Sequence, residues 1–108
     1  MVEFYNALEE VILCITNSLE YQKCLTIKEK MGKNEELMSM IRKVKELQKK
    51  YVKSHYDENI KKELDDLESQ LNEIPIYVVY LQNLEIVNEK IEYVKDSLND
   101  YFYQLFNE

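Results

Sequence analysis

Apolar residues recur at steps of three and four along almost the whole chain, and that spacing predicts helix. The cleanest run is C-terminal. Tyr77, Tyr80, Leu84, Val87, Ile91, Val94, Leu98, Tyr101 and Leu105 keep one helical face apolar for about four heptads, with no Gly or Pro between them. At ~1.5 Å per residue, a helix from Pro75 to Phe106 is about 45–50 Å long. A chain of this size does not easily cover such a rod.

Four shorter helices are predicted before it. The first runs from Val2 to about Thr16, with Phe4, Ala7, Leu8, Val11, Ile12 and Ile15 on one face. Asn17 and Ser18 break it, and Asn17 with Glu20 forms a capping-box-like start for the second helix. In that helix Cys24, Ile27 and Met31 form a narrow stripe, and Gly32 stands where a left-handed C-terminal cap is expected. Asn34 is the expected N-cap of a third helix reaching about Lys53, with Leu37, Ile41, Val44, Leu47 and Tyr51 on its inner face. Ser54, His55 and Tyr56 make a short connection to a fourth helix. Asp57 caps it, and Ile60, Leu64, Leu67, Leu71 and Ile74 form its stripe. So short a link implies an antiparallel hairpin. Pro75 then suits the first turn of the long last helix.

The expected fold is therefore all-α. About five helices form an antiparallel hairpin packed on one long C-terminal helix, in a bundle-like or coiled-coil-like arrangement. One Gly and one Pro in 108 residues leave little material for hairpin turns, which argues against a sheet. No linker, repeat or low-complexity stretch divides the chain, so residues 1–108 read as one domain.

Charge adds two points. The formal net charge of −7 opposes free binding to polyanions. The third helix is basic and the fourth acidic, so facing rims of opposite sign favour the antiparallel register. Arg42, Lys45, Lys49 and Lys53 share one helical stripe and form the candidate nucleic-acid surface; direct nucleic-acid binding is disfavoured, and a solvated face beside the acidic helix is the plainer reading. The N-terminus lacks a basic flank, and the longest apolar run, Ile74 to Leu81, is too short to span a membrane. A soluble, cytoplasmic protein is expected.

No catalytic or metal-binding set can be assembled. His55 is the single histidine and stands without an oriented nucleophile beside it. Cys14 and Cys24 have neither CxxC spacing nor a nearby histidine, and read as buried, reduced thiols. No intrinsic cofactor is expected, and the chain does not read as an enzyme. The aromatic end is more informative. Tyr101, Phe102 and Tyr103 are consecutive and point several ways around a helix, so with Leu105 and Phe106 they form the candidate interface. Either the first helix or another chain must cover them.

The order of these features resembles the YlbF/YmcA family of small bacterial all-helical regulators. The resemblance is carried by IRKVKELQKKYVKSHYDENIKKELDDLESQLNEIPIYVVYLQNLEIVNEKI, notably Leu47-Gln48-Lys49, His55-Tyr56 and Leu71 through Ile76. It covers residues 34–98 well and the first 33 loosely, and lies closest to the YmcA branch. It implies a non-enzymatic regulatory adaptor that oligomerises, most simply as a homodimer, or joins a hetero-complex with YlbF-like and YaaT-like proteins and RNase Y. The implied setting is messenger-RNA processing, competence, sporulation and biofilm formation. The resemblance also implies that an iron–sulfur cluster can occur at the level of the complex. This chain has no cysteine-bearing tail for one, and Cys14 and Cys24 match no cluster motif. Two other readings compete with the adaptor: a nucleic-acid-binding protein using the basic stripe, and a structural or chaperone-like coiled coil.

Overall fold

The computed structural model describes residues 1–107. Among these the chain forms five helices and no strand: α1 (Val2–Thr16), α2 (Leu19–Gly32), α3 (Glu35–Lys53), α4 (Glu58–Leu71) and α5 (Pro75–Asn107). The all-α expectation holds. The helices sort into two compact units, one of Met1–Leu25 with α5 from Gln82 onward, the other of Thr26–Leu81.

The Thr26–Leu81 unit holds the better core. Met31, Leu37, Val44, Leu47, Leu64 and Leu71 are buried together, and Ile74, Ile76, Tyr77 and Tyr80 from the start of α5 pack against them. Leu37 and Leu71 are sealed almost completely, at 2% and 0% exposure. α3 and α4 run antiparallel. Lys61 lies 6.0 Å over the Tyr51 ring near the tip, and farther from it Lys43 pairs with Glu63 at 3.7 Å. Burial among apolar groups pushes the Tyr77 hydroxyl pKa up, with nearby Glu68 adding to the shift.

The chain joints explain where the helices stop. Asn34 accepts from the Leu37 N–H at 3.0 Å, and Asp57 accepts from Asn59 and Ile60 N–H groups at 2.8 and 3.4 Å, so both expected caps are made. The cap of α2 is corrected by one residue. The Ser18 hydroxyl, not Asn17, accepts from the Tyr21 N–H at 3.3 Å, while it donates to the Ile15 carbonyl at 2.7 Å. Asn17 instead closes α1, and its backbone is right-handed. Gly32 is corrected as well, since no glycine has positive φ. α2 ends through tight bonds from Lys33 N–H to the Lys30 carbonyl and Asn34 N–H to the Met31 carbonyl, at 3.2 and 3.0 Å. These lead directly into the Asn34 cap, so no left-handed residue is required.

The left-handed backbone lies at the α3–α4 tip instead. His55 and Tyr56 have φ of 56° and 67°. Tyr56 N–H bonds the Tyr51 carbonyl at 3.0 Å and His55 N–H bonds the Val52 carbonyl at 3.3 Å. This is the Schellman pairing, with a histidine where glycine is customary. The apolar contact that accompanies such a motif is also present: the Tyr51 and Tyr56 rings meet edge to face at 5.2 Å.

Candidate functional site

The other unit is built differently. α1 has no buried residue at all, and α5 beyond Gln82 has one, Val87. Among the described residues, 19 large apolar side chains of this unit stay exposed, ten up to Leu25 and nine from Ile86 on. At about 100 Å² each, roughly half of a large side chain's area, they sum to on the order of 1,500–2,000 Å² spread over the two helices. A contiguous third of that already reaches the ~300–600 Å² of the largest patch on a typical monomer, which makes this unit the candidate functional site.

Two hollows score the surface where α1 faces α5. One, of about 510 Å³, is lined by Val11, Cys14 and Ile15 with Ile86, Glu89, Lys90, Tyr93 and Val94. The second, of about 340 Å³, lies among Leu8, Val11, Ile12 and Ile15 on α1 and Ile91, Val94 and Lys95 on α5. Lys90 also donates to Glu20 at 3.0 Å. The Glu20 carboxyl is held below its ordinary pKa, first by a backbone N–H bond at the start of α2 and then by that lysine.

The aromatic end lies beyond both hollows. Tyr101 and Phe102 meet edge to face at 5.3 Å, and Phe102 stacks on Phe106 at 6.4 Å. These rings cover each other along one helix and remain wet: Tyr101 is 63% exposed, Phe102 50%, Tyr103 68%, Leu105 59% and Phe106 77%. Sequence reasoning missed that α1 belongs to the same surface, with Phe4, Tyr5, Leu8 and Ile12 all exposed. The available signal was its apolar arc, which is as wide as that of α5 and extends to Val2 and Leu13 outside the stripe.

The basic stripe of α3 is brought together only in part. Lys45, Lys49 and Lys53 line a shallow hollow with Gln48 and Val52. Arg42 lines a different one, beside Glu35. The expected pairing of α3 with acidic α4 is narrower than the charge pattern implied. Among the described residues one ion pair, Lys43–Glu63, joins the two helices, and it uses none of the four stripe residues.

No group of three or more His, Cys, Asp and Glu side chains is placed to hold a metal among the described residues. His55 is exposed at the hairpin tip. The cysteines do not fit an iron–sulfur site. The expected burial holds for Cys24 and is corrected for Cys14, which is exposed because α1 buries none of its residues; burial raises the Cys24 thiol pKa, the reverse of what a thiolate ligand requires. No described helix is long and apolar enough to cross a membrane.

A family model described as "Control of competence regulator ComK, YlbF/YmcA" matches residues 4–101. The chain belongs to the YlbF/YmcA family. The match reaches further than the hairpin and its flanks, taking in α1 and most of α5, so the exposed apolar unit is part of what the YlbF/YmcA domain is. The family description is that of a regulator, not of a catalyst. No curated protein and no solved structure matches the chain.

Proposed function

We propose that this YlbF/YmcA-family chain is a non-enzymatic regulatory adaptor of the YmcA branch, acting in the cytoplasm. Its working part is the apolar surface of α1 and the outer half of α5. Burial of that surface against a partner's helices is the mechanism, either in a self-paired form or in a complex with YlbF-like and YaaT-like proteins. Through that complex it tunes RNase Y-dependent messenger-RNA processing, and with it competence, sporulation and biofilm development. We assign no cluster or other cofactor to this chain.

One observation carries the reading: a unit with 19 exposed large apolar side chains, against a second unit with a sealed core. Exposed area on that scale matches the roughly 800 Å² per partner of a stable interface, with surplus. The test is affinity purification of the tagged chain from its native cell with mass spectrometry. Recovery of YlbF-like, YaaT-like and RNase Y proteins is expected. Their absence under gentle conditions defeats the proposal.

The RNA-binding reading keeps one supporting observation, the hollow formed by Lys45, Lys49 and Lys53. It predicts an RNA shift by the isolated protein that weakens steeply with salt and is lost in a Lys45→Gln/Lys49→Gln variant. No shift at low salt removes it.

A further inference from the structure

We infer that α1 is a conditionally folded arm: it frays from α5 in the free chain and locks into helix only when a second copy covers the α1–α5 surface. This rests on the proposed reading of that surface as the docking face, taken in its self-paired form, and adds how docking there is regulated.

An isolated helix of fewer than ~12–15 residues is marginal in water, and α1, with 15, stands at that limit. Local support is missing. Its N-cap is Met1, with no side-chain hydrogen bond, and its last turn carries no basic residue to meet the helix dipole. Val2, Val11, Ile12, Ile15 and Thr16 are β-branched and lose rotamer freedom in a helix. In contrast α3 is capped by Asn34, carries Lys50 and Lys53 in its last turn, and buries Leu37, Val44 and Leu47.

Tertiary support is missing as well. No residue of α1 is buried. Among the described residues no hydrogen bond or ion pair joins α1 to α5, and Lys90 of α5 reaches Glu20 on α2 instead. The bonds that tie α1 to later residues all end on carbonyls of its last turn. Asn17 N–H donates to Leu13 at 2.8 Å, the Ser18 hydroxyl to Ile15 at 2.7 Å and the Gln22 amide to Thr16 at 2.7 Å. The arm is therefore tethered at one end. Along its length the two hollows mark where α1 stands off α5, whereas α3 and α4 pack backbone to backbone.

Seven of the exposed large apolar side chains, Val2, Phe4, Tyr5, Leu8, Val11, Ile12 and Leu13, lie on this arm. A second copy laid over the surface supplies the burial they lack, and α1 folds as the pair forms. The ordering cost lowers the affinity. When only a fraction of free chains hold α1 in place, the apparent dissociation constant rises by the inverse of that fraction for each arm. Pairing then responds to helix stability at positions that face away from the interface. Asn6 and Glu10 are such positions: at 100° per residue they fall on the far side of α1 from the stripe of Phe4, Leu8, Val11 and Ile15.

The test is hydrogen exchange of the full chain, read by mass spectrometry, with light scattering giving the paired state at each concentration. Where dilution leaves the pair intact, Leu98→Glu/Phe106→Glu on α5 supplies the unpaired form. In unpaired protein the α1 amides should exchange within ~10-fold of the unfolded rate, and in paired protein at least ~100-fold more slowly, while amides around Val44 and Leu64 stay slow in both. Asn6→Gly/Glu10→Gly should weaken pairing about tenfold, because glycine lowers helix stability in both arms, and Asn6→Ala should strengthen it about threefold. Equal α1 exchange in unpaired and paired protein, or pairing untouched by the glycines, overturns the inference and leaves the docking surface standing. A chain that stays unpaired at every concentration overturns the inference and self-paired docking together.

Discussion

Truncating side chains of different burial, Leu71 on one hand and Tyr101 and Phe106 on the other, separates the role of the sealed core from that of the open surface. Leu71 is 0% exposed, whereas Phe106 is 77% and Tyr101 63% exposed. Leu71→Ala removes buried methylenes and leaves a cavity, and should cost about 3 kcal/mol of stability, within the usual ~2–5 kcal/mol. A fully buried Phe is worth roughly 1.5–3 kcal/mol. With about a quarter of that realised in the free chain, Phe106→Ala should lose only ~0.5 kcal/mol, and alanine's better helix propensity returns a similar amount. The unrealised three quarters becomes available on docking. Tyr101→Ala/Phe106→Ala should therefore unfold in urea within about 1 kcal/mol of the native chain, and should weaken partner capture by ~3 kcal/mol, on the order of 100-fold. Far-UV circular dichroism through a urea titration reads the first quantity, and isotope-ratio mass spectrometry of co-purifying proteins reads the second. A double variant as destabilised as Leu71→Ala, or one that captures the same partners at the same level, refutes the division of labour.

Three further outcomes are expected. His55→Gly removes a left-handed strain of ~1 kcal/mol at the α3–α4 tip, partly offset by glycine's greater freedom when unfolded, so it should raise the urea midpoint slightly; a fall would show that the imidazole itself stabilises the turn. Cys14 should alkylate in the native protein whereas Cys24 should do so only on unfolding, as mass spectrometry after timed iodoacetamide treatment can report; equal rates would contradict the burial of Cys24. The Glu20 carboxyl has a lowered folded pKa, so its contribution is complete above the ordinary glutamate value of about 4.3 and disappears as pH falls through the lower folded one. Glu20→Gln should consequently be less stable than the native chain near neutral pH and equal to it in strong acid, and a gap that persists at low pH would point to another cause.

The regular parts of the fold were readable because one physical rule governs them. Apolar steps of three and four located all five helices, and Asn34 and Asp57 announced their caps because short polar side chains there can accept from a free N–H. The joints were harder. Asn17 and Ser18 are both good caps, and only the folded geometry shows that the serine hydroxyl takes the role. Gly32 invited a left-handed cap that a tighter run of backbone bonds made unnecessary. The left-handed pair fell on His55 and Tyr56, where residue type gives no warning, since the Schellman bonds and the Tyr51 ring hold them there. The candidate surface was half visible: the consecutive aromatics of α5 flagged its end, but an amphipathic α1 looks the same whether its face is buried or open.

The open face of α1 and α5 also bears on how the protein is kept in the cell. Chaperones and proteases survey nascent and orphaned subunits by the apolar area they display, and this chain displays it while fully folded. On the proposed docking reading, occupancy of the face should set the protein's lifetime as well as its activity. Copies made in excess of the partner should be the first removed, so that turnover itself would maintain stoichiometry.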